Sequence, residues 1–145
     1  MPNNATLYPS GVTYAPDIPT FIDTLFANID SPREEDHARY ADAFTEDAIY
    51  EIGEWGSARG PHEILKYMEG QWARARSMKH IAEKVFPFGG EDELMLFGTV
   101  TVWTKEDGAE ITVDYAGRVL LDRQNGALKI RGYYMHLTPK KQSKA

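Results

Sequence analysis

The sequence predicts an α+β fold in which helices come first and a curved antiparallel sheet follows. Three observations carry this. The chain closes with three long strand patterns in succession, Glu93–Lys105, Ala109–Arg123 and Ala127–Leu137. They are joined by Asp107-Gly108 and Asn125-Gly126, dipeptides typical of tight hairpins. Each strand has one interior glycine: Gly98, Gly117 and Gly132. If both turns are two-residue loops, Gly98 lies opposite Gly117, Gly117 opposite Tyr134, and Val119 opposite Gly132. All three glycines then share one face. Glycine in a strand permits sharp bending or a bulge, so the sheet is expected to curl around a pocket.

The elements before the meander follow from periodicity. Ile18, Phe21, Ile22, Leu25, Phe26 and Ile29 recur at helical spacing, with Asp17 before them and Pro19 in the first turn. Ser31-Pro32 ends this helix. Glu34, Glu35 and Asp36 place negative charge at the start of a second helix, where the backbone dipole favours it. His37, Tyr40, Ala41 and Phe44 form its buried stripe. Ala48–Ile52 reads as a short strand leading through Gly53–Gly60 to Pro61, which opens a third helix. Ile64, Leu65, Met68, Trp72 and Ala75 are the apolar face of that helix. Met78–Phe88 is a further extended segment, broken by Pro87.

On the glycine face the assumed register places Leu94, Leu96, Val100, Val102, Ile111, Val113, Tyr115, Val119, Leu121, Ile130, Tyr134 and His136. That face is almost wholly apolar and is expected to be concave, under the helices. The other face combines Thr99, Thr101, Thr112, Asp114, Arg118, Lys129 and Arg131 with Phe97, Trp103, Tyr133 and Met135. Such a mixture suits a homodimer interface through the outer sheet face. The alternative is a solvent face with scattered aromatics.

Bulk composition narrows the function classes. At 145 residues, with 42% hydrophobic and 26% charged, the chain suits a single globular domain. Residues 17–138 are read as that domain, 1–16 as an N-terminal extension and 139–145 as a flexible cationic tail. A net charge of −6 and a pI near 5.2 argue against nucleic acid or an anionic membrane as partner. Arg74, Arg76 and Lys79 are too small a basic group to alter this, and read as a solvated helix end. With no cysteine there is no disulfide, thiolate nucleophile or zinc-thiolate site. Met1–Pro16 lacks the charged start and apolar core of a signal peptide, and no run is long enough to span a membrane. The expectation is a cytoplasmic protein. No phosphate-cradling glycine loop is present and no cofactor is expected.

The stretches FTEDAIYEI (Phe44–Ile52), GPHEILKYM (Gly60–Met68) and MKHIAEKVF (Met78–Phe86), followed by the meander, resemble a SnoaL-like domain of the nuclear transport factor 2-like superfamily. The resemblance covers roughly residues 17–138. It implies a cone-shaped curved antiparallel sheet with three helices, from the N-terminal half, across its concave face. Superfamily members include enzymes and non-catalytic binding domains. The ketosteroid isomerase set would fall on Ile52, Gly117 and Leu25, and the limonene-epoxide hydrolase set near Gly98, Val100 and Gly132, none with a suitable side chain. The polyketide cyclases' aspartate has no counterpart either. Scytalone dehydratase and a hexachlorocyclohexane dehydrochlorinase share an aspartate ending the first helix and a histidine on the strand after the third. Asp30 and His80 match those positions, given about three extra residues within SPREED.

An Asp–His pair makes a general base, because the carboxylate fixes the imidazole tautomer and stabilises the imidazolium as it forms. The resemblance therefore implies a cofactor-independent lyase or isomerase, of dehydratase or cyclase type. Its partner would be a small hydrophobic, oxygenated ligand. Tyr50, Tyr115 and Tyr134 are candidate phenol donors in the pocket, His136 a rim residue opposite Tyr115, and Trp55 a lid or stacking residue. The rival reading is a non-catalytic ligand-binding or dimerising protein, in which Asp30 organises a turn and His80 is a core histidine. A metal site formed by Asp30, His80 and His136 lacks any supporting motif, and none is expected. His37 and His62 are read as structural, and Trp72 as helical core.

Overall fold

The computed structural model describes residues 6–89 and 92–139. The first five residues and Lys140–Ala145 of the expected tail lie outside the described residues. Helix α1 (Ile18–Asp30) buries Ile18, Ile22, Leu25, Phe26 and Ile29 along one stripe. Ser31 is extended, as a residue before proline must be, so the helix stops there. Helix α2 (Glu34–Asp42) has all three expected acids in its first turn. Strand β1 (Phe44–Ile52) leads through a single tight turn, Gly53–Trp55, to a short strand β2 (Ser57–Arg59) within the segment expected to be a loop. Helix α3 (Gly60–Arg74) follows, and Ala75, expected on its apolar face, instead begins β3 (Ala75–Phe88). Pro87 does not break that strand.

The meander is β4 (Glu93–Thr104), β5 (Glu110–Gln124) and β6 (Ala127–Pro139). One six-stranded sheet runs β2-β1-β6-β5-β4-β3. It is mixed rather than antiparallel, because β1 lies parallel to β6. The connection from β1 to β6 runs through β2, α3 and the strands β3 to β5, and a long connection of that kind can set a strand parallel to its neighbour. The sheet is curved and unclosed, with the three helices over its concave face.

Register departs from expectation in two instructive places. Asn125 and Gly126 both have positive φ and form the two-residue turn, pairing Gln124 with Ala127. Between β4 and β5 the Thr104 amide donates to the Ala109 carbonyl at 3.0 Å and closes a four-residue loop, Lys105–Gly108. Thr104 Oγ1 donates to Asp107 at 2.5 Å, and the Ala109 amide bonds both side chains, which holds the wider turn. Gly98 therefore faces Tyr115, and Gly117 faces Leu96. A slip of two residues leaves every side chain on its predicted face.

The second departure reverses faces. The β5–β6 pairing holds as far as Leu121 with Ile130, then resumes at Leu120 with Gly132. Arg131 is an extra residue, a bulge. Beyond it Tyr133, Met135 and Leu137 turn inward, while Gly132, Tyr134 and His136 turn outward. The three glycines thus do not share a face: a Cβ on Gly132 would meet the outward Tyr134 and Leu120. Gly98 is where the backbones approach most closely. It sits beside a second bulge, between Ala82 and Lys84 of β3, and a Cβ there would lie 1.7 Å from the Ile81 carbonyl oxygen.

The cone is solid at one end and hollow at the other. Leu94 and Leu96 of β4 pack with Val85, Val119, Ile130 and the stripe of α1 in a filled core. Further along the same face, Val100 and Val102 border empty space. Of the segment before α1, Leu7 bridges Lys84 in parallel, and Tyr8 stacks on Tyr14 and packs against the core. Among the described residues no helix is long and apolar enough to cross a membrane.

Candidate active site

The hollow is a cavity of about 380 Å³ between α3, the end of α1 and the open half of the sheet. Its walls are mostly aliphatic and aromatic: Ile29, Met68, Met78, Val100, Val113 and Leu137 are representative. A volume in this range suits a small organic ligand.

His80 is the imidazole of this wall. Strand alternation carries Met78, His80 and Ala82 to the concave face of β3, and α1 ends against that strand. Asp30, the last residue of α1, meets His80 there. Its Oδ1 lies 2.6 Å from Nδ1 of His80, and the His80 main-chain N–H donates to both carboxylate oxygens at 2.8 and 3.0 Å. A carboxylate only accepts, so in the neutral ring the contact selects the tautomer with the hydrogen on Nδ1, which leaves Nε2 as the acceptor. Nε2 has no protein partner among the described residues. The ring stacks on Phe26 at 5.9 Å, nearly parallel, and meets the edge of Tyr115 at 6.4 Å. The imidazole is held in one plane by a carboxylate on one side and an aromatic ring on its face.

The other expected site residues divide by location. Tyr50 lines the cavity, and its hydroxyl pairs with Tyr40 at 2.9 Å. Burial pushes the Tyr50 phenol well above its ordinary value, so it stays a neutral hydrogen-bonding group. Trp55 lies at the rim, 56% exposed. Tyr115 points inward but lies outside the cavity wall, with its hydroxyl buried and unpartnered among the described residues. Burial, then the nearby Asp30 and Glu83 charges, keep that phenol protonated. Tyr134 and His136 are not in the cavity at all. The bulge at Arg131 puts them on the outer face, where Tyr134 lies under the Arg118 guanidinium. His136 faces Ala116 rather than Tyr115, and borders an outer depression with Asp114 and Thr138. Asp30, His80 and His136 therefore do not converge, and no metal-binding cluster of three occurs among the described residues.

Sequence reasoning missed Tyr67, Gln71, Arg74 and Thr104, polar residues that line the cavity. The signal was legible: 67, 71 and 74 share one stripe of α3, next to the apolar stripe of 64 and 68. Trp72 belongs to the wall as well as the core. Its indole N–H donates to the Ile29 carbonyl at 3.2 Å, and its ring stacks on the buried His37. His37 in turn bonds the Ser31 carbonyl at 2.5 Å, which fixes the turn that follows Asp30.

No protein-family model and no curated protein matches this sequence. Solved structures do match. A hexachlorocyclohexane dehydrochlorinase (LinA, type 2) superposes with a TM-score of 0.68 at 18% identity, over 83% of this chain and 84% of that one. A candidate scytalone dehydratase from Novosphingobium aromaticivorans gives a TM-score of 0.73 at 16% identity, over 83% and 81%. The chain shares the fold of these two structures. ActVI-ORFA from Streptomyces coelicolor shares it, with a TM-score of 0.67 at 19% identity over 82% and 93%. At these identities the likeness is one of fold.

Proposed function

We propose that the protein is a cofactor-independent lyase or isomerase, of dehydratase or cyclase type, acting on a small hydrophobic oxygenated molecule. The observation that carries this reading is the 2.6 Å contact between Asp30 Oδ1 and His80 Nδ1 at the wall of an apolar cavity. Nε2 of His80 takes a proton from a carbon of the substrate. The C–H electron pair becomes a new double bond as a hydroxide or halide leaves the adjacent carbon, or is held as an enolate that reprotonates elsewhere. Asp30 stabilises the imidazolium formed. General-base catalysis of this kind contributes about 10²–10⁴ in rate, so polar atoms of the wall must also bind the developing charge. Tyr50, Tyr67 and Thr104, polar residues of the cavity lining, are proposed for this role.

The names of two superposed structures, a dehydrochlorinase and a candidate dehydratase, support elimination chemistry. The rival reading, a non-catalytic ligand carrier, draws on the two bonds from the His80 amide to Asp30, which fasten α1 to β3 whether or not chemistry occurs. A panel of hydroxylated and halogenated cyclic compounds, assayed for elimination or double-bond migration, separates the two. His80→Gln should abolish turnover and leave the melting temperature nearly unchanged. Loss of folding in step with activity, or no turnover by the native protein across the panel, would favour the carrier.

We also propose a homodimer through the outer sheet face. Phe86 and Phe97 stack there at 6.2 Å while substantially exposed, next to exposed Met95 and Phe88. A contiguous aromatic patch of this kind on a sheet face favours burial against a second copy.

A further inference from the structure

The cavity has a charge pattern opposite to that of the chain. Twenty-two Asp and Glu residues give the protein a net charge of −6, yet no carboxylate lines the cavity. Asp30 stands behind His80, bonded to it. One cationic residue with a permanent charge, Arg74, does line it.

Arg74 ends α3, and its carbonyl accepts the Lys105 amide at 2.9 Å, which fastens the helix end to the β4–β5 turn. The residue is exposed, as are Trp55 and Ile111 of the same wall, so these three mark the mouth. Its side chain forms no ion pair among the described residues. The Tyr67 phenol is near enough to feel its charge: burial raises that group and Arg74 pulls it down. Tyr67 and Gln71 precede Arg74 on one stripe of the helix and line the same cavity.

We propose that Arg74, with Tyr67 and Gln71 on the same stripe, is an anion anchor at the cavity mouth, and that the site takes small apolar molecules bearing one anionic oxygen group. This rests on the reading of the cavity as the ligand site. A guanidinium fork binds a carboxylate or a similar group through paired N–H donors, which a neutral ligand cannot exploit equally. Arg74 and His80 lie six residues apart along the extended chain, at most about 20 Å between Cα atoms. The anchor therefore holds the charged end at the mouth while the apolar body reaches toward the imidazole. Arg74 is a positioning residue, and the ligand it selects is elongated and amphiphilic.

The test uses anilinonaphthalene sulfonate and its uncharged counterpart phenylnaphthylamine, fluorescent probes with the same aromatic body. The native protein should bind the sulfonate more tightly. Arg74→Gln should weaken sulfonate binding about tenfold or more and change the neutral probe less than twofold. Arg74→Lys should retain part of the preference. Arg76→Gln, at an exposed position outside the wall, should change neither. Added salt should narrow the difference between the probes, because the anchor is at the surface. Equal binding of the two probes by the native protein, or equal loss of both in Arg74→Gln, overturns the anchor. His80→Gln should alter the two probes alike and so preserve the preference for the sulfonate, whereas it abolishes turnover, so failure of the anchor and failure of the base are read separately.

Discussion

Replacing Asp30 by Asn tests the site at its hinge. The carboxylate takes three contacts from His80, at 2.6, 2.8 and 3.0 Å, using both oxygens. Asn offers one accepting oxygen and one amide donor. If the oxygen keeps the His80 main-chain N–H, the amide faces Nδ1 and donates to it. Nδ1 then becomes the acceptor and the hydrogen moves to Nε2, so the cavity meets a donor instead of a base. Hydrogen bonds to a charged group are worth about 1.5–3 kcal/mol each. One acceptor survives in Asn, and the Asp30 and His80 side chains are 24% and 15% exposed. A stability loss of about 1–2 kcal/mol follows after discounting for solvent, or about 3–6 °C in melting temperature for a domain of this size. Turnover should fall by about 10²–10⁴, far more than stability. Nitrogen-15 NMR of His80 reads the tautomer directly and needs no substrate. An unchanged Nδ1–H tautomer in the variant would refute the reasoning, because the carboxylate would then not be orienting the ring.

Three further outcomes are expected. Tyr40→Phe removes the partner of the fully buried Tyr50 hydroxyl and should cost about 1–3 kcal/mol by denaturant unfolding, whereas the Tyr40→Phe/Tyr50→Phe double variant should lose less than the sum. The Asp36 carboxyl is held below its ordinary value, first by the Ser31 hydroxyl and then by Arg39 and Arg33. Its contribution is therefore present above the unfolded carboxylate range, about pH 4, and is lost as pH falls through the depressed value. The gap in melting temperature between the native protein and Asp36→Asn should close below that pH, and a gap constant with pH would contradict the assignment. Phe97→Glu should convert a sedimenting dimer to monomer without changing the circular dichroism spectrum, and an unchanged sedimentation profile would remove the outer-face dimer.

The helices were legible because their stripes repeat at a spacing that burial alone explains, and the expected start of α2 appears as written in its three acids. Asn125-Gly126 gave its turn because both residues tolerate positive φ. Asp107-Gly108 did not, because Thr104 and Asp107 bond across a longer loop, a side-chain choice that dipeptide chemistry omits. The pairing of Asp30 with His80 came from resemblance rather than periodicity, since fifty residues separate them and no local rule joins them. Tyr134 and His136 were misplaced for a single reason. Counting by twos from the turn is reliable until a residue is inserted, and Arg131 is inserted.

What the sequence by itself determined was local: which segments alternate, which are helical, where the chain turns, and that no thiol chemistry is available. Those properties depend on neighbours within a few residues. The tertiary structure decided everything that needs distant partners. It set β1 beside β6 and brought the solvent-exposed end of α3, with Arg74, to the cavity. It also turned half of β6 over, replacing Tyr134 and His136 in the interior with Tyr133, Met135 and Leu137. The physical reason is the two-residue period of a strand: one bulge, favoured by the curvature of the whole sheet, exchanges inside for outside along everything that follows it.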